Sequence, residues 1–240
     1  MVASAFAWSI GCGDDDDDND DGDDDDDDDD GECPEATEDL SVCDPANGPF
    51  TLEIDNPFYP LPVGLHLVLE GEEDGEELLV EIDVLDETEE VAGVTTRVVT
   101  ETEYEGGELV EVSWNWFAQA PDGTVCYFGE EVDDYEDGEL VGHSGEWRAG
   151  EDGAQPGIIM TADPSVGEAY FQEFYEGEAE DMSEHVALGE TVSTPAGDFD
   201  DTLSVLDYNP LEGCEPEPKA YARGIGLIQD ETLFLTESSL

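Results

Sequence analysis

The sequence predicts an all-β protein: a curved antiparallel meander sheet, either a half-barrel or an open barrel, with at most one short helix. Three observations carry this expectation. Apolar and β-branched residues recur with a period of two over several long runs, as strands with one buried face require. Turn signals separate those runs: Gly106-Gly107, Pro121-Asp122-Gly123 and Asp137-Gly138, at spacings of 16 and then 15 residues. The only stretch with competing helical spacing, 169–188, is interrupted by Gly177, so it too reads as strand.

The elements follow in order. After an extended lead-in marked by Pro45, Pro49, Pro57, Pro60 and Pro62, Leu65, Leu67 and Leu69 alternate, with His66 on the opposite face. Leu78, Val80, Ile82 and Val84 form the next run, and Val94, Thr96, Val98, Thr100, Thr102 and Tyr104 the one after. Beyond the Gly-Gly turn, Val110, Val112, Trp114, Trp116 and Ala118 share one face, while Glu111, Ser113, Asn115 and Gln119 share the other. Trp114 and Trp116 are therefore either core of a curved sheet or the ligand-facing wall of a pocket. The meander runs to about Arg148. Farther on, Thr191 to Thr194, Pro195-Ala196-Gly197 and Phe199 to Leu206 read as strand, turn and strand, and Tyr221 to Ile228 leads into a final strand.

Charge sets the limits on partners. The chain has 240 residues, 69 Asp and Glu against 4 Lys and Arg, and a formal net charge of −65. Nucleic acid is excluded as a partner, since a polyanion would be repelled. The charge has two parts: residues 13–33 hold 16 acids, and residues 34–240 carry −49 by themselves. Hydrophobic residues at 38% plus 26 glycines give an ordinary globular share, so a folded core is expected despite the charge. A single lysine, Lys219, against so many acids resembles the composition of halophilic proteins. Raising NaCl from about 0.1 to about 1 M shortens the Debye length to about 3 Å and screens neighbouring carboxylates. The melting temperature is accordingly expected to rise over that range, and a flat or falling value in a thermal melt overturns the expectation.

The N-terminus points to export. Val2 to Ile10 is apolar, and Ser9-Ile10-Gly11-Cys12 resembles a bacterial lipoprotein signal, in which Cys12 becomes the lipidated first residue. Ser9 stands where Leu is usual and no base precedes the apolar run, so the chain is expected to start inside a longer signal. Asp fills 15 of the 17 positions from Asp14 to Asp30, a self-repelling run that stays extended and serves as a tether. The expected organisation is a signal remnant over 1–11, the lipidated Cys12 with its disordered poly-Asp tether over 12–33, a Pro-rich lead-in over 34–62 and an antiparallel β domain over 63–240. One EF-hand-like register, Asp17, Asn19, Asp21, Gly22 and Asp28, lies in the tether, but any poly-Asp run with a glycine supplies one. Weak, diffuse Ca²⁺ condensation is expected, with no defined metal site and no cofactor.

With Cys12 assigned to lipid, Cys33, Cys43, Cys126 and Cys214 remain, an even set that allows three disulfide connectivities. The preferred one closes the short loop from Cys33 to Cys43 and leaves Cys126 with Cys214.

Trp114 to Glu130, Gly157 to Met160, Gln172-Glu173, Ala179 to Met182 and Tyr221 to Ile228 together resemble a group of uncharacterised secreted bacterial β-rich lipoproteins over about residues 58–230. Pro195-Ala196-Gly197 and the Tyr221-to-Ile228 ending are also similar in architecture to periplasmic half-barrels of the lipoprotein-carrier type. The second likeness implies a sheet curled around a concave apolar face.

Candidates for catalysis are few. His66, His143 and His185 show no metal-ligand spacing, and neither a phosphate loop nor a nucleophile elbow is present. The chain is therefore read as non-enzymatic: an exported lipoprotein, held on the periplasmic or extracellular face of a bacterial membrane through acylated Cys12. Its β domain, expected to be a monomer, would bind an apolar or amphipathic ligand or a protein partner. The alternative is an acidic cation-buffering (Ca²⁺) or structural surface protein, and a hydrolase using a carboxylate or His143 is a third reading.

Overall fold

The computed structural model describes residues 33–239, so Cys12 and most of the poly-Asp tether lie outside the described residues. The expected meander is present as β1 (His66–Glu73), β2 (Glu76–Val91), β3 (Val94–Glu105), β4 (Glu108–Gln119) and β5 (Val125–Glu136). There follow β6 (Glu139–Gly142), β7 (Trp147–Arg148), β8 (Gln155–Met160), β9 (Ala169–Phe171) and β10 (Glu173–Phe174). The last five are β11 (Met182–Thr194), β12 (Gly197–Tyr208), β13 (Glu217–Ala222), β14 (Gly226–Asp230) and β15 (Leu233–Ser239). The described helical turns are short 3-10 segments, Leu40–Cys43 and Pro45–Asn47. The segment 169–188 holds no helix: β9, β10 and the start of β11 alternate with a turn at residues 176–178, where Gly177 interrupts the helical spacing.

All strands join one antiparallel sheet in the order β10-β8-β5-β4-β3-β2-β1-β15-β14-β13-β12-β11-β9, with β6 and β7 added to β5. The two ends of this path, β9 and β10, are separated in the chain by Gln172 alone, so the backbone itself bridges the sheet's edges into a nearly closed barrel. Near closure removes most of the unpaired edge that an open sheet exposes. The seam is tight enough to need glycine: a Cβ on Gly157 of β8 would collide with the Gln172 carbonyl.

Register decides which face is inside. Leu67, Val80, Ile82 and Val84 are buried as their alternation predicts. Across the β2–β3 ladder Val80 faces Glu103 and Ile82 faces Glu101, and across β3–β4 Glu101 faces Ser113 and Glu103 faces Glu111. Directly opposed residues share a face, so the apolar side of β2 carries these acids inward with it. Glu101, Glu103, Ser113 and Asn115 are buried, whereas Thr100, Thr102, Tyr104, Val110, Val112 and Trp114 are half-buried on the outside. The expected concave apolar face is corrected in part: Glu101, Glu103, Ser113 and Asn115 make one end of the inner face of β3 and β4 polar, Val99 and Phe117 keep the other end apolar, and Trp114 stands on the convex side.

The lead-in belongs to the same folded unit. Ile54, Phe58, Tyr59 and Leu61 are buried, and the Tyr59 ring lies 5.5 Å from Phe117 and 6.2 Å from Tyr221, on strands at opposite parts of the sheet. Residues 54–61 therefore plug the barrel. Asn56 and Gln119 hold them there: Gln119 Oε1 accepts the Asp55 and Asn56 N–H groups, while Asn56 Nδ2 donates to the Gly123 and Thr161 carbonyls. These bonds satisfy backbone groups that a buried loop would otherwise leave orphaned.

The cysteines pair Cys33 with Cys214 and Cys43 with Cys126, at Cα separations of 5.2 and 5.6 Å. This corrects the expected pairing of neighbours. Cys43 and Cys126 are fully buried between lead-in and β5, so the bridge that a short loop would make locally instead clamps the plug to the wall.

Candidate functional site

Two open clefts indent the outer side of β4 and β5. One, of about 310 Å³, has Trp116, Glu130, Trp147, Arg148 and Tyr175 in its walls. The other, of about 370 Å³, is lined by Trp114, Glu131, Val132, Asp133, His143 and Glu146. Glu131 and Glu146 line both, so the two form one continuous groove.

The tryptophans named from the sequence part company here. Trp116 is only 3% exposed; the Arg148 guanidinium caps its ring at 4.6 Å and is fixed in turn by Glu89 Oε1 at 2.5 Å and the Glu90 carbonyl at 2.9 Å. Its face is already occupied by a cation. Trp114 is half-buried, has no such cap and stands among Glu131, Asp133 and Glu146.

His143 closes that second cleft. Its Nδ1–H donates to the Val132 carbonyl at 2.7 Å and lies 3.1 Å from Asp133 Oδ1. The bond to the carbonyl, reinforced by Asp133, Glu146 and Asp134, raises the imidazole pKa above its usual value against a smaller effect of burial. Backbone positioning is supplied by Asp134, whose Oδ2 accepts both the N–H and the hydroxyl of Ser144. The remaining histidines are placed elsewhere. His66 pairs across the β1–β2 ladder with Asp83 at 2.9 Å, and His185 is fully buried with Tyr170 Oη 2.9 Å from Nε2 and Glu168 Oε2 3.3 Å from Nδ1.

The barrel interior is a second concentration of charge. Burial raises the pKa of Glu101 to about 7 and of Asp181 to about 7, and neighbouring carboxylates add to the effect. Glu103 and Glu173 are driven up for the same reasons. On the far wall Lys219 Nζ sits 3.3 Å from both Asp207 Oδ2 and Asp230 Oδ1. Burial alone would lower the ammonium's pKa, but Asp230 and Asp207, joined by Glu101 and Glu217, together outweigh it and raise it. Asp207 is further held by Gln172 Nε2 at 2.8 Å and by the Ser183 hydroxyl. Composition reasoning, which assigned the carboxylates to the surface, missed this interior set. The ladder partners of Val80 and Ile82 are what identify it.

Among the described residues no group of three or more His, Cys, Asp or Glu side chains is arranged to hold a metal ion, and no helix is long and apolar enough to cross a membrane. No protein-family model, no curated protein and no solved structure matches the chain.

Proposed function

We propose that the β domain is a non-enzymatic binding module for an amphipathic ligand that carries a positive charge, and that it works at the cell envelope on a lipid anchor at Cys12. The observation that supports this reading is the setting of Trp114: a half-exposed indole with three carboxylates, Glu131, Asp133 and Glu146, around one cleft of about 370 Å³. An indole face attracts a cation through its quadrupole, and trimethylammonium-type groups are suited to such a wall because they bring both charge and apolar surface. The plugged barrel leaves the convex groove as the place for the ligand.

Titration of the full chain with an alkyltrimethylammonium amphiphile below its micellar concentration, followed by tryptophan fluorescence, tests the proposal. Saturable binding is expected, with a neutral amphiphile of equal chain length binding far more weakly. Trp114→Ala should weaken it by about two- to fivefold, the worth of one partly exposed cation–π contact. Trp116→Ala should instead lower the melting temperature, because it empties a buried site under Arg148. Affinity should also rise with pH as His143 loses its proton and its competing charge. Equal affinity for the neutral amphiphile, or an unchanged affinity in Trp114→Ala, overturns the reading.

A further inference from the structure

The chain has four strong bases, Arg97, Arg148, Arg223 and Lys219, and its one lysine is the most deeply buried of them, at 2% exposure. Lys219 Nζ lies 3.3 Å from Asp230 Oδ1 and 3.3 Å from Asp207 Oδ2, and both acids are buried as well. The backbone sets this geometry. Lys219 and Asp230 are directly opposed across the β13–β14 ladder, while Asp207 stands on β12 two residues beyond Val205, the partner of Lys219 on that side. Opposed residues and residues two apart share a face, so the three side chains meet inside the barrel.

A lasting ion pair is a poor reason to bury this amine. Desolvation offsets much of the attraction between buried charges, and a guanidinium, more weakly hydrated and with five donors, suits such a site better than an ammonium. Arg97, Arg148 and Arg223 make the other described ion pairs of the strong bases. What a lysine adds is a nucleophile: once it loses a proton, Nζ can attack a carboxyl carbon. The two acids divide the remaining roles. Asp207 accepts from Gln172 Nε2 at 2.8 Å and from the Ser183 hydroxyl, a setting suited to a carboxylate that acts as base. Burial above all pushes the Asp230 carboxyl up, toward the neutral acid that an amine attacks, although Lys219 opposes this.

We propose that Lys219 and Asp230 condense in the folded protein to an amide, an internal covalent cross-link between β13 and β14. It stands independently of the Trp114 groove. The Lys219 ammonium passes one proton to the Asp230 carboxylate across their 3.3 Å contact. The free amine then attacks Cγ of the resulting acid, and the C–N bond forms. Asp207 takes a second proton from the nitrogen and returns it to the departing hydroxyl, which leaves as water, and the third proton stays on the amide nitrogen. Nothing is oxidised or reduced, and one positive and one negative charge disappear from the interior. The surrounding acids favour the ammonium, so the neutral amine is the minor form. A reaction that each chain performs once needs no more than a minor form, because the partners are held at about the 3–3.5 Å of a near-attack contact.

Trypsin digestion of the purified full chain, reduced and denatured, followed by mass spectrometry, tests the cross-link. Lys219 is the one lysine, and Arg223 lies between it and Asp230. Cleavage after Lys219 should therefore fail, while cleavage after Arg223 should leave segments 149–223 and 224–240 joined, with a mass lower by one water than the two cut segments together. Asp230→Ala should restore the cut after Lys219 and release 224–240. Two results in the wild type, neither of which depends on how a variant folds, overturn the proposal. A cut after Lys219 means that the amine is free and the triad is a plain ion pair. Release of 224–240 with Lys219 still uncut means that the bond runs to Asp207, which lies on the same side of Arg223.

Discussion

Raising the pH from about 5 to about 9 in about 1 M NaCl will lower the melting temperature by about 10 °C or more, and Glu101→Gln will remove much of that fall. The cause is Glu101, 3% exposed on the inner face, whose carboxyl is pushed up to about 7 from an ordinary 4.5 chiefly by burial. A carboxyl raised in the folded state binds its proton more tightly there than in the unfolded chain. Its stabilising effect is fully present below the unfolded value and is lost as pH rises through the folded one. At about 1.4 kcal/mol per pKa unit the loss from Glu101 alone is about 3 kcal/mol, or about 6–12 °C for a domain of this size.

Asp181, also pushed up to about 7, acts in the same direction. His185 acts in the opposite one: burial lowers its pKa, so its contribution to stability grows as pH rises through its folded value toward 6.5. The difference between wild type and Glu101→Gln isolates the carboxylate. The variant should match wild type at about pH 5 and exceed it by about 3 kcal/mol at about pH 9. Parallel melting curves for the two proteins across the window would mean that Glu101 is solvated.

This interior also marks where the sequence stops being legible. The strands of the meander follow from period-two alternation, and the Gly106-Gly107 and Asp137-Gly138 turns are plain in the residues. Asp74-Gly75 is an equally plain hairpin signal, with both residues at positive φ. Ala92-Gly93 makes the same turn, with Ala92 at φ 50°, although alanine announces no such turn. Which face of β3 and β4 points inward is a different matter. Val110, Val112 and Trp114 look like a core stripe beside Glu111, Ser113 and Asn115, and local hydrophobicity chooses the wrong side. The choice is made by β2, two strands away, because Val80 and Ile82 fix the register that Glu103 and Glu101 must follow. Likewise the proline spacing of the lead-in describes an extended chain without telling where it goes. The destination is set by Asn56 and Gln119, ordinary polar residues whose partners are about 63 to 105 positions apart in the chain. Trp114 and Trp116 were legible as a pair but not as a contrast, since only the fold brings Arg148 over one of them.

The Cys43–Cys126 bridge should prove the costliest single linkage to remove: Cys43→Ala with Cys126→Ala is expected to lower stability by more than about 5 kcal/mol, a fall of about 10–20 °C in melting temperature. Its ends are 83 residues apart, for which loop-closure entropy alone gives about 4.5 kcal/mol. The Cys33–Cys214 bridge spans 181 residues and by the same reckoning would contribute slightly more, about 5 kcal/mol. Packing reverses the order. Cys43 and Cys126 are fully buried beside the edge-on contact of Phe50 and Phe128, whose centroids are 5.5 Å apart, and they clamp the segment that carries Ile54, Phe58 and Tyr59 into the barrel. Cys33 is half-buried at the start of the described chain, so its loss frees little that is packed. Removing the inner bridge leaves a cavity as well as a longer free chain, and the cavity adds to the entropy. Melting temperatures of the two double-alanine variants, with a non-reducing peptide map of the wild type, test the claim. The inner variant should melt lower, and the map should contain the Cys43–Cys126 and Cys33–Cys214 peptides. A Cys33–Cys43 peptide, or four reactive thiols in the denatured and unreduced protein, would remove the clamp and with it the reason for the lead-in to stay in the barrel.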